Sequence, residues 1–81
     1  MNTELDGRGN LIYAINLSIN KHNTPYQEIM DWMKNTFKTT GVFSYFVPPD
    51  EEWALYIFSN GRCRACFRNK AHATMFLLRW Q

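Results

Sequence analysis

The chain has 81 residues, enough for one small domain with one hydrophobic core. Apolar residues make up 46% of it and charged residues 20%, which excludes an intrinsically disordered chain. The net charge of +2 is too small to require a nucleic acid as the partner. No apolar run approaches the roughly 20 residues of a membrane span, and no secretory signal is recognisable. We therefore expect a cytoplasmic protein with reduced cysteines and no membrane association.

The first predicted elements are a leader and a strand. Residues 1–10 are polar and contain two glycines, which is typical of a flexible leader before a single domain at residues 11–81. Apolar side chains alternate along residues 11–19, which predicts a half-buried strand.

A helix is predicted next. Thr24 and Pro25 favour a helix start, and an apolar stripe with helical spacing begins at Tyr26. Gly41 is a suitable stop. Trp32 falls outside the stripe, so it either covers a neighbouring element or contacts a partner.

A strand, a hairpin and a second helix are predicted in the second half. Residues 42–47 are strongly β-prone and are followed by two prolines. Asn60 and Gly61 stand between two apolar-rich runs, which is typical of a hairpin with a two-residue turn. An apolar stripe then predicts a helix that begins near Asn69 and includes Ala73, Phe76, Leu77 and Trp80.

The element order β-α-β-β-α predicts a small two-layer α+β sandwich. Two parallel strands flank the first helix, and the hairpin adds an antiparallel pair. We expect a ferredoxin-like mixed sheet of four strands with both helices on one face, while the strand order stays open. The other face of the sheet is then exposed.

The assumed two-residue turn decides which hairpin residues lie on that open face. It places Ser59 opposite Arg62, and faces alternate from there. The side that should meet the helices carries Ala54, Tyr56, Phe58, Cys63, Ala65 and Phe67. The open side carries Trp53, Leu55, Ile57, Arg62, Arg64, Cys66 and Arg68.

This mixed apolar and basic face is the predicted binding surface. Aromatic residues form 16% of the chain, so some should lie outside a single small core. The face suits a partner protein or a second copy of the chain. Its arginines equally suit the phosphates of a nucleic acid or nucleotide, or ion pairs that solubilise the sheet. The candidate partner-binding residues are Trp53, Leu55, Ile57, Arg62, Arg64, Arg68 and Trp32.

Cysteine and histidine spacing does not predict catalysis or a metal site. Cys63 and Cys66 form a C-x-x-C pattern, but residues three apart on a strand point to opposite faces. His22 and His72 are not spaced as metal-ligand partners, and the acidic residues 50–52 suit a solvated loop. We therefore expect structural thiols, no cofactor, no metal and no enzyme activity.

Residues 67–80 carry a resemblance. A strand ends in Phe67, a helix opens with polar residues and Ala71, and a Phe-Leu-x-x-Trp sequence closes it. This pattern of residues resembles the C-terminal segments of small accessory proteins of tailed bacteriophages, which serve host takeover or counter-defence. The resemblance implies a non-enzymatic protein that blocks or sequesters a host factor in the host cytoplasm, and no site residue carries over from it. A virion structural subunit is a further alternative.

Overall fold

A computed structural model of the chain describes residues 1–18, 26–58 and 61–80. These segments contain five strands and two helices. In chain order they are β1 (Asn2–Leu5), β2 (Leu11–Ser18), α1 (Tyr26–Phe37), β3 (Gly41–Phe43), β4 (Trp53–Ile57), β5 (Arg62–Phe67) and α2 (Lys70–Trp80). Thr24 and Pro25, the predicted helix start, lie outside the described residues.

The strands form one mixed sheet in the order β1-β2-β5-β4-β3. Strand β5 lies between β2 and β4 and is antiparallel to both, β1 is antiparallel to β2, and β3 is parallel to β4. Strands β2 and β3 therefore point the same way, as expected of strands that flank a helix, but β5 and β4 separate them. The predicted α+β sandwich is confirmed.

Both helices pack on one face of the sheet. The predicted stripe of α1 is buried there through Ile29, Met30, Met33 and Phe37, and α2 contributes Ala73, Phe76 and Trp80. Phe67 of β5 joins the two helices, because its ring centroid lies 5.5 Å from that of Phe37 and 5.5 Å from that of Phe76. This face holds the main hydrophobic core.

The predicted flexible leader is wrong, because its first residues form β1. A tight turn brings β1 back onto β2. The Asp6 carboxylate accepts the backbone N–H groups of Arg8 (2.9 Å) and Asn10 (2.8 Å). Gly9 adopts a φ of 79°, which glycine reaches without steric cost. The polar residues that suggested a leader thus supply the chemistry of a hairpin turn.

The predicted hairpin register is also wrong, by one residue. The N–H of Phe58 donates to the carbonyl of Arg62 at 2.8 Å, and the N–H of Gly61 donates to Phe58 at 3.1 Å. Gly61 has a φ of 84°, the conformation expected at the end of a three-residue hairpin loop. Asn60 of the predicted turn, and Ser59, which was predicted to pair with Arg62, lie outside the described residues.

This shift turns every side chain of β4 to the other face. Trp53 pairs with Phe67 and Leu55 pairs with Ala65, so Trp53 and Leu55 face the helices. Ala54 and Tyr56 face the opposite side, which we call the second face.

The second face is not fully open, because the predicted strand at residues 42–47 is shorter than expected. Only Gly41–Phe43 belongs to it. Residues 44–52, which we call the covering loop, leave the sheet edge and cross the second face. Val47 of this loop is buried in a small cluster with Ile12, Ala14, Ala54 and Cys66. The loop ends in the prolines and acidic residues that precede β4.

Candidate binding surface

Five aromatic side chains gather on the second face and at the β3 edge of the sheet, where the ring centroid of Phe43 also lies 5.2 Å from that of Tyr26 on α1. We call Phe43, Tyr45, Phe46, Tyr56 and Phe58 the aromatic cluster. The ring centroid of Tyr45 lies 4.9 Å from that of Phe46, 5.8 Å from that of Tyr56 and 5.9 Å from that of Phe58. Phe43 stacks on Tyr56 at 5.5 Å. The rings therefore support one another as one continuous surface.

Much of this aromatic surface is accessible. Phe46 is 67% exposed, Phe43 52% and Tyr45 40%, while Tyr56 and Phe58 are half-buried. Contiguous exposed apolar surface of this kind is typical of an interaction site. Tyrosine adds a hydroxyl to the apolar ring, which suits it to surfaces that alternate between water and a partner.

Arg64 of β5 holds the aromatic cluster at Tyr45. Its side chain is 4% exposed and donates from both terminal nitrogens to the Glu4 carboxylate, each at 2.8 Å. Its Nε donates to the carbonyl of Tyr45 at 3.2 Å. Its guanidinium carbon also lies 4.4 Å from the centroid of the Tyr45 ring, within reach of a cation–π interaction. Arg64 thus ties β1, β5 and the covering loop together.

Arg68 holds the rest of the covering loop. It donates to the Asp6 carboxylate at 2.7 Å, and to the carbonyls of Glu51 (2.9 Å), Val47 (3.2 Å) and Pro48 (3.1 Å). Backbone carbonyls that have left the sheet are thereby satisfied.

The contacts with Arg64 and Arg68 lower the pKa values of the two carboxylates that they bind. The hydrogen bond from Arg68, helped by the N–H of Asn10, lowers the pKa of Asp6 to about 2. The hydrogen bond from Arg64 lowers the pKa of Glu4 against the opposing effect of burial. Both carboxylates therefore stay ionised at neutral pH and keep their arginines paired.

The predicted apolar contact residues face the helices rather than the second face. Trp53 and Leu55 are fully buried under the helices, and Ile57 packs against the same core. Their predicted place on an open face is wrong because the hairpin loop contains three residues rather than two. Trp32 rests on the rings of Phe37 (5.4 Å) and Trp80 (6.0 Å), so it covers a neighbouring element.

The three predicted arginines are on the expected side of β5, but they differ in their surroundings. Arg62 is exposed on the second face. Arg64 and Arg68 form ion pairs with Glu4 and Asp6. Ion pairs are one of the predicted alternatives for these arginines, beside phosphate binding. Their donors are directed at carboxylates and carbonyls of the chain itself, which leaves little capacity for phosphate.

The aromatic cluster is the surface that sequence reasoning missed. The sequence pattern predicts Tyr45 and Phe46 on a strand, and Tyr56 and Phe58 on the helix face. One signal could have identified it. Residues 43–58 hold six of the aromatic side chains of the chain, which exceeds what one side of so small a sheet can bury.

A cleft of about 520 Å³ adjoins the aromatic cluster between β1 and the covering loop. Its walls include Leu5, Ile12 and Phe46, and the ion-paired Glu4 and Asp6 also line it. Phe46 therefore belongs to both the cleft and the cluster.

The thiols lie on opposite faces of the sheet, as predicted. Cys63 belongs to the core under the helices and Cys66 to the cluster around Val47. Burial raises the pKa of each thiol to about 11, so both are poor nucleophiles at neutral pH.

The histidine within the described segments has a packing role. The ring of His72 stacks on Phe37 with centroids 4.5 Å apart, in the first turn of α2. Asn69 caps that turn by accepting the N–H of Ala71 at 2.8 Å. No trio of His, Cys, Asp or Glu within residues 1–18, 26–58 and 61–80 is arranged to hold a metal ion. His22 lies outside these segments.

Comparisons of the chain with protein-family models, curated proteins and solved structures found no match. Among the described segments, neither helix is both long and apolar enough to cross a bilayer.

Proposed function

We propose that the chain is a non-enzymatic binding protein whose partner protein docks on the aromatic cluster. The supporting observation is the accessible, mutually contacting set of rings around Tyr45. Aromatic side chains are enriched in protein interfaces, where each can bury a large apolar area. The cluster takes the place of Trp53, Leu55 and Ile57 as the contact surface, while Arg62 stays at its side.

Preorganisation favours this surface over a random apolar patch. Arg64 fixes Tyr45, and Arg68 fixes the backbone that follows Phe46. A rigid surface loses little conformational entropy when it binds, so more of the contact energy appears as affinity. Within this proposal the partner is a host protein that the chain blocks sterically, as the resemblance of residues 67–80 to phage accessory proteins implies.

The test compares two variants that each remove one exposed apolar side chain. Phe46→Ala truncates the cluster, and Leu78→Ala truncates the 79% exposed Leu78 on α2. The chain is purified gently from a bacterial host, its bound protein is identified by native mass spectrometry, and the affinity for that purified protein is measured by calorimetry. We expect Phe46→Ala to lose at least about 2 kcal/mol of binding, roughly 30-fold, and Leu78→Ala to bind normally.

Other outcomes of this experiment would contradict the proposal. Equal affinities for the original chain and Phe46→Ala would exclude the cluster as the binding surface. A homo-oligomer without any second protein, weakened by Phe46→Ala but not by Leu78→Ala, would assign the cluster to contact between copies, as expected of a structural subunit.

Nucleic-acid binding is the second candidate, favoured by exposed rings beside the exposed Arg62. Single-stranded nucleic acids stack their bases on such rings, and basic side chains hold the phosphates. The two candidates differ in their response to salt. Affinity for a nucleic acid falls steeply with salt concentration because counterions are released. Apolar docking of a protein responds weakly, so titrations at two salt concentrations separate them.

A further inference from the structure

Arg64 joins the edge strand β1 to the aromatic cluster. Glu4, the β1 residue that it binds, is 60 positions away in sequence. Tyr45, the cluster residue that it binds, is 19 positions away. The side chain of Arg64 therefore lies between β1, which contributes no residue to the cluster, and Tyr45, whose ring is at the centre of the cluster.

The geometry makes the two contacts interdependent. A guanidinium group is planar and rigid, so a carboxylate that binds both terminal nitrogens fixes the plane of the whole group. That plane also determines where Nε points and which ring the cation faces. The bidentate pair with Glu4 therefore orients the donor to the Tyr45 carbonyl and the cation near the Tyr45 ring.

Apart from this contact, strand β1 is held by its pairing with β2 and by the ion pair of Asp6, the residue that follows it, with Arg68. It pairs with β2 alone, since it lies at the edge of the sheet. Neither buried apolar cluster of the described residues includes a residue of β1, and Leu5 is 68% exposed. Segments with few buried contacts open more readily than the core. The Glu4 contact can thus be lost without unfolding the sheet.

We infer that Glu4 is a positioning residue for the aromatic cluster, acting through Arg64 on Tyr45. This inference rests on the proposed function of the cluster. Strand β1 is then a control element: when it pairs with β2, Tyr45 is held for docking, and when it is displaced, Arg64 and Tyr45 lose their fixed arrangement. The partner binds the arranged cluster more tightly, so the position of β1 governs affinity.

Asp6 provides a matched control. Its carboxylate is bound by Arg68, which holds Val47, Pro48 and Glu51 rather than Tyr45. Glu4→Gln and Asp6→Asn each remove one charge from the same end of the chain and keep the size of the side chain. They differ in the part of the covering loop that they release.

The first measurement uses NMR on the full, free chain and needs no partner. We expect Glu4→Gln to shift the Arg64 Nε–H and Tyr45 ring resonances and to speed exchange of that N–H with water. Asp6→Asn should instead affect Val47 and Arg68. Unchanged Arg64 and Tyr45 signals in Glu4→Gln would overturn the inference.

The second measurement is a double-mutant cycle of partner affinity with Glu4→Gln and Tyr45→Ala. We expect Glu4→Gln alone to weaken binding roughly 5- to 150-fold, the usual range of coupling between two sites. In the Tyr45→Ala background it should have little further effect, because its target is gone. Additive losses would overturn the inference, since they would mean that Glu4 acts independently of Tyr45.

The two proposals fail in distinguishable ways. If Phe46→Ala and Tyr45→Ala both bind normally, the proposed function is wrong, although the NMR experiment still tests the link from Glu4 to Tyr45. If both lose binding while Glu4→Gln changes neither resonances nor affinity, the function stands and the positioning role is wrong.

Discussion

The two faces of the sheet are held by different forces. Under the helices, large apolar side chains such as Trp53, Phe67 and Phe76 are fully buried. On the second face, by contrast, Arg64 and Arg68 place donors on carboxylates and carbonyls. The second face thus depends on directional contacts, whereas the helix face depends on buried area.

The two kinds of contact have different consequences. Buried apolar area determines the stability of the sheet, whereas directional contacts determine the shape of the binding surface. Burial of apolar surface is non-directional and scales with area, so it stabilises the sheet without fixing one particular side chain. Charge-assisted hydrogen bonds have a preferred geometry, so they determine where the covering loop and its rings lie. We therefore expect substitutions under the helices to affect stability most, and those on the second face to affect mainly the binding surface.

The largest effect should come from Trp53→Ala. Loss of a fully buried indole ring should cost roughly 3–5 kcal/mol in the free energy of unfolding. Phe46→Ala, on the second face, should cost about 0.5 kcal/mol or less because that ring is mostly exposed. Urea denaturation of both variants measures the contrast. Equal losses would show that the two faces do not differ as described.

Gly41→Ala should give the next largest effect. Gly41 of β3 pairs with Trp53, and a Cβ atom there would collide with the indole ring. Such overpacking typically costs about 1–3 kcal/mol. Gly7→Ala is the control, since a Cβ at Gly7 meets nothing within 4 Å. Thermal unfolding of the two variants should differ clearly, and a Gly41→Ala variant as stable as the original would place the β3 edge away from Trp53.

Acid should produce the smallest effect and should act on the second face. The pKa of Asp6 is about 2 in the folded chain against an ordinary value of 3.8. Because the folded-state pKa is the lower one, this contribution is complete above the ordinary value and is lost as the pH falls toward about 2. The lowered pKa of Glu4 acts in the same direction. Denaturation curves recorded between about pH 5 and about pH 2 should therefore show declining stability.

Asp6→Asn is the control for this acid response. The variant lacks the titrating carboxylate, so its stability should change less over the same pH range. If its decline equals that of the original chain, the Arg68–Asp6 contact is not a source of the acid sensitivity.

Elements that depend on local periodicity could be predicted from the sequence. The apolar stripe of α1 reports directly which side of the helix is buried, and it agrees with the structure. The alternation in β2 identifies the strand, but the predicted half-burial is wrong because Ile12 and Ala14 are buried under the covering loop on the second face. The register of the hairpin could not be predicted in the same way. It depends on whether two or three residues form the loop, and the sequence Asn60-Gly61 suits both. Strand β1 could not be predicted, because the polar residues of the turn that follows it are also typical of a flexible leader.

The candidate site was predictable only in part. The sequence identifies Arg64 and Arg68 as notable, since arginines on a sheet face need a reason. Their partners Glu4 and Asp6 could not be found, because no local pattern links residues that far apart. The aromatic cluster depends on the covering loop, whose path is set by contacts between side chains and distant backbone carbonyls.

The Glu4–Arg64 and Asp6–Arg68 contacts have a consequence for the order of assembly. They join residues 60 and 62 positions apart. Closing such long loops costs more chain entropy than forming a local hairpin. During synthesis from the N-terminus, β1 and β2 can pair early, but the two carboxylates must wait until most of the chain has emerged. The binding surface is therefore among the last features to be completed, after the hairpin that it depends on.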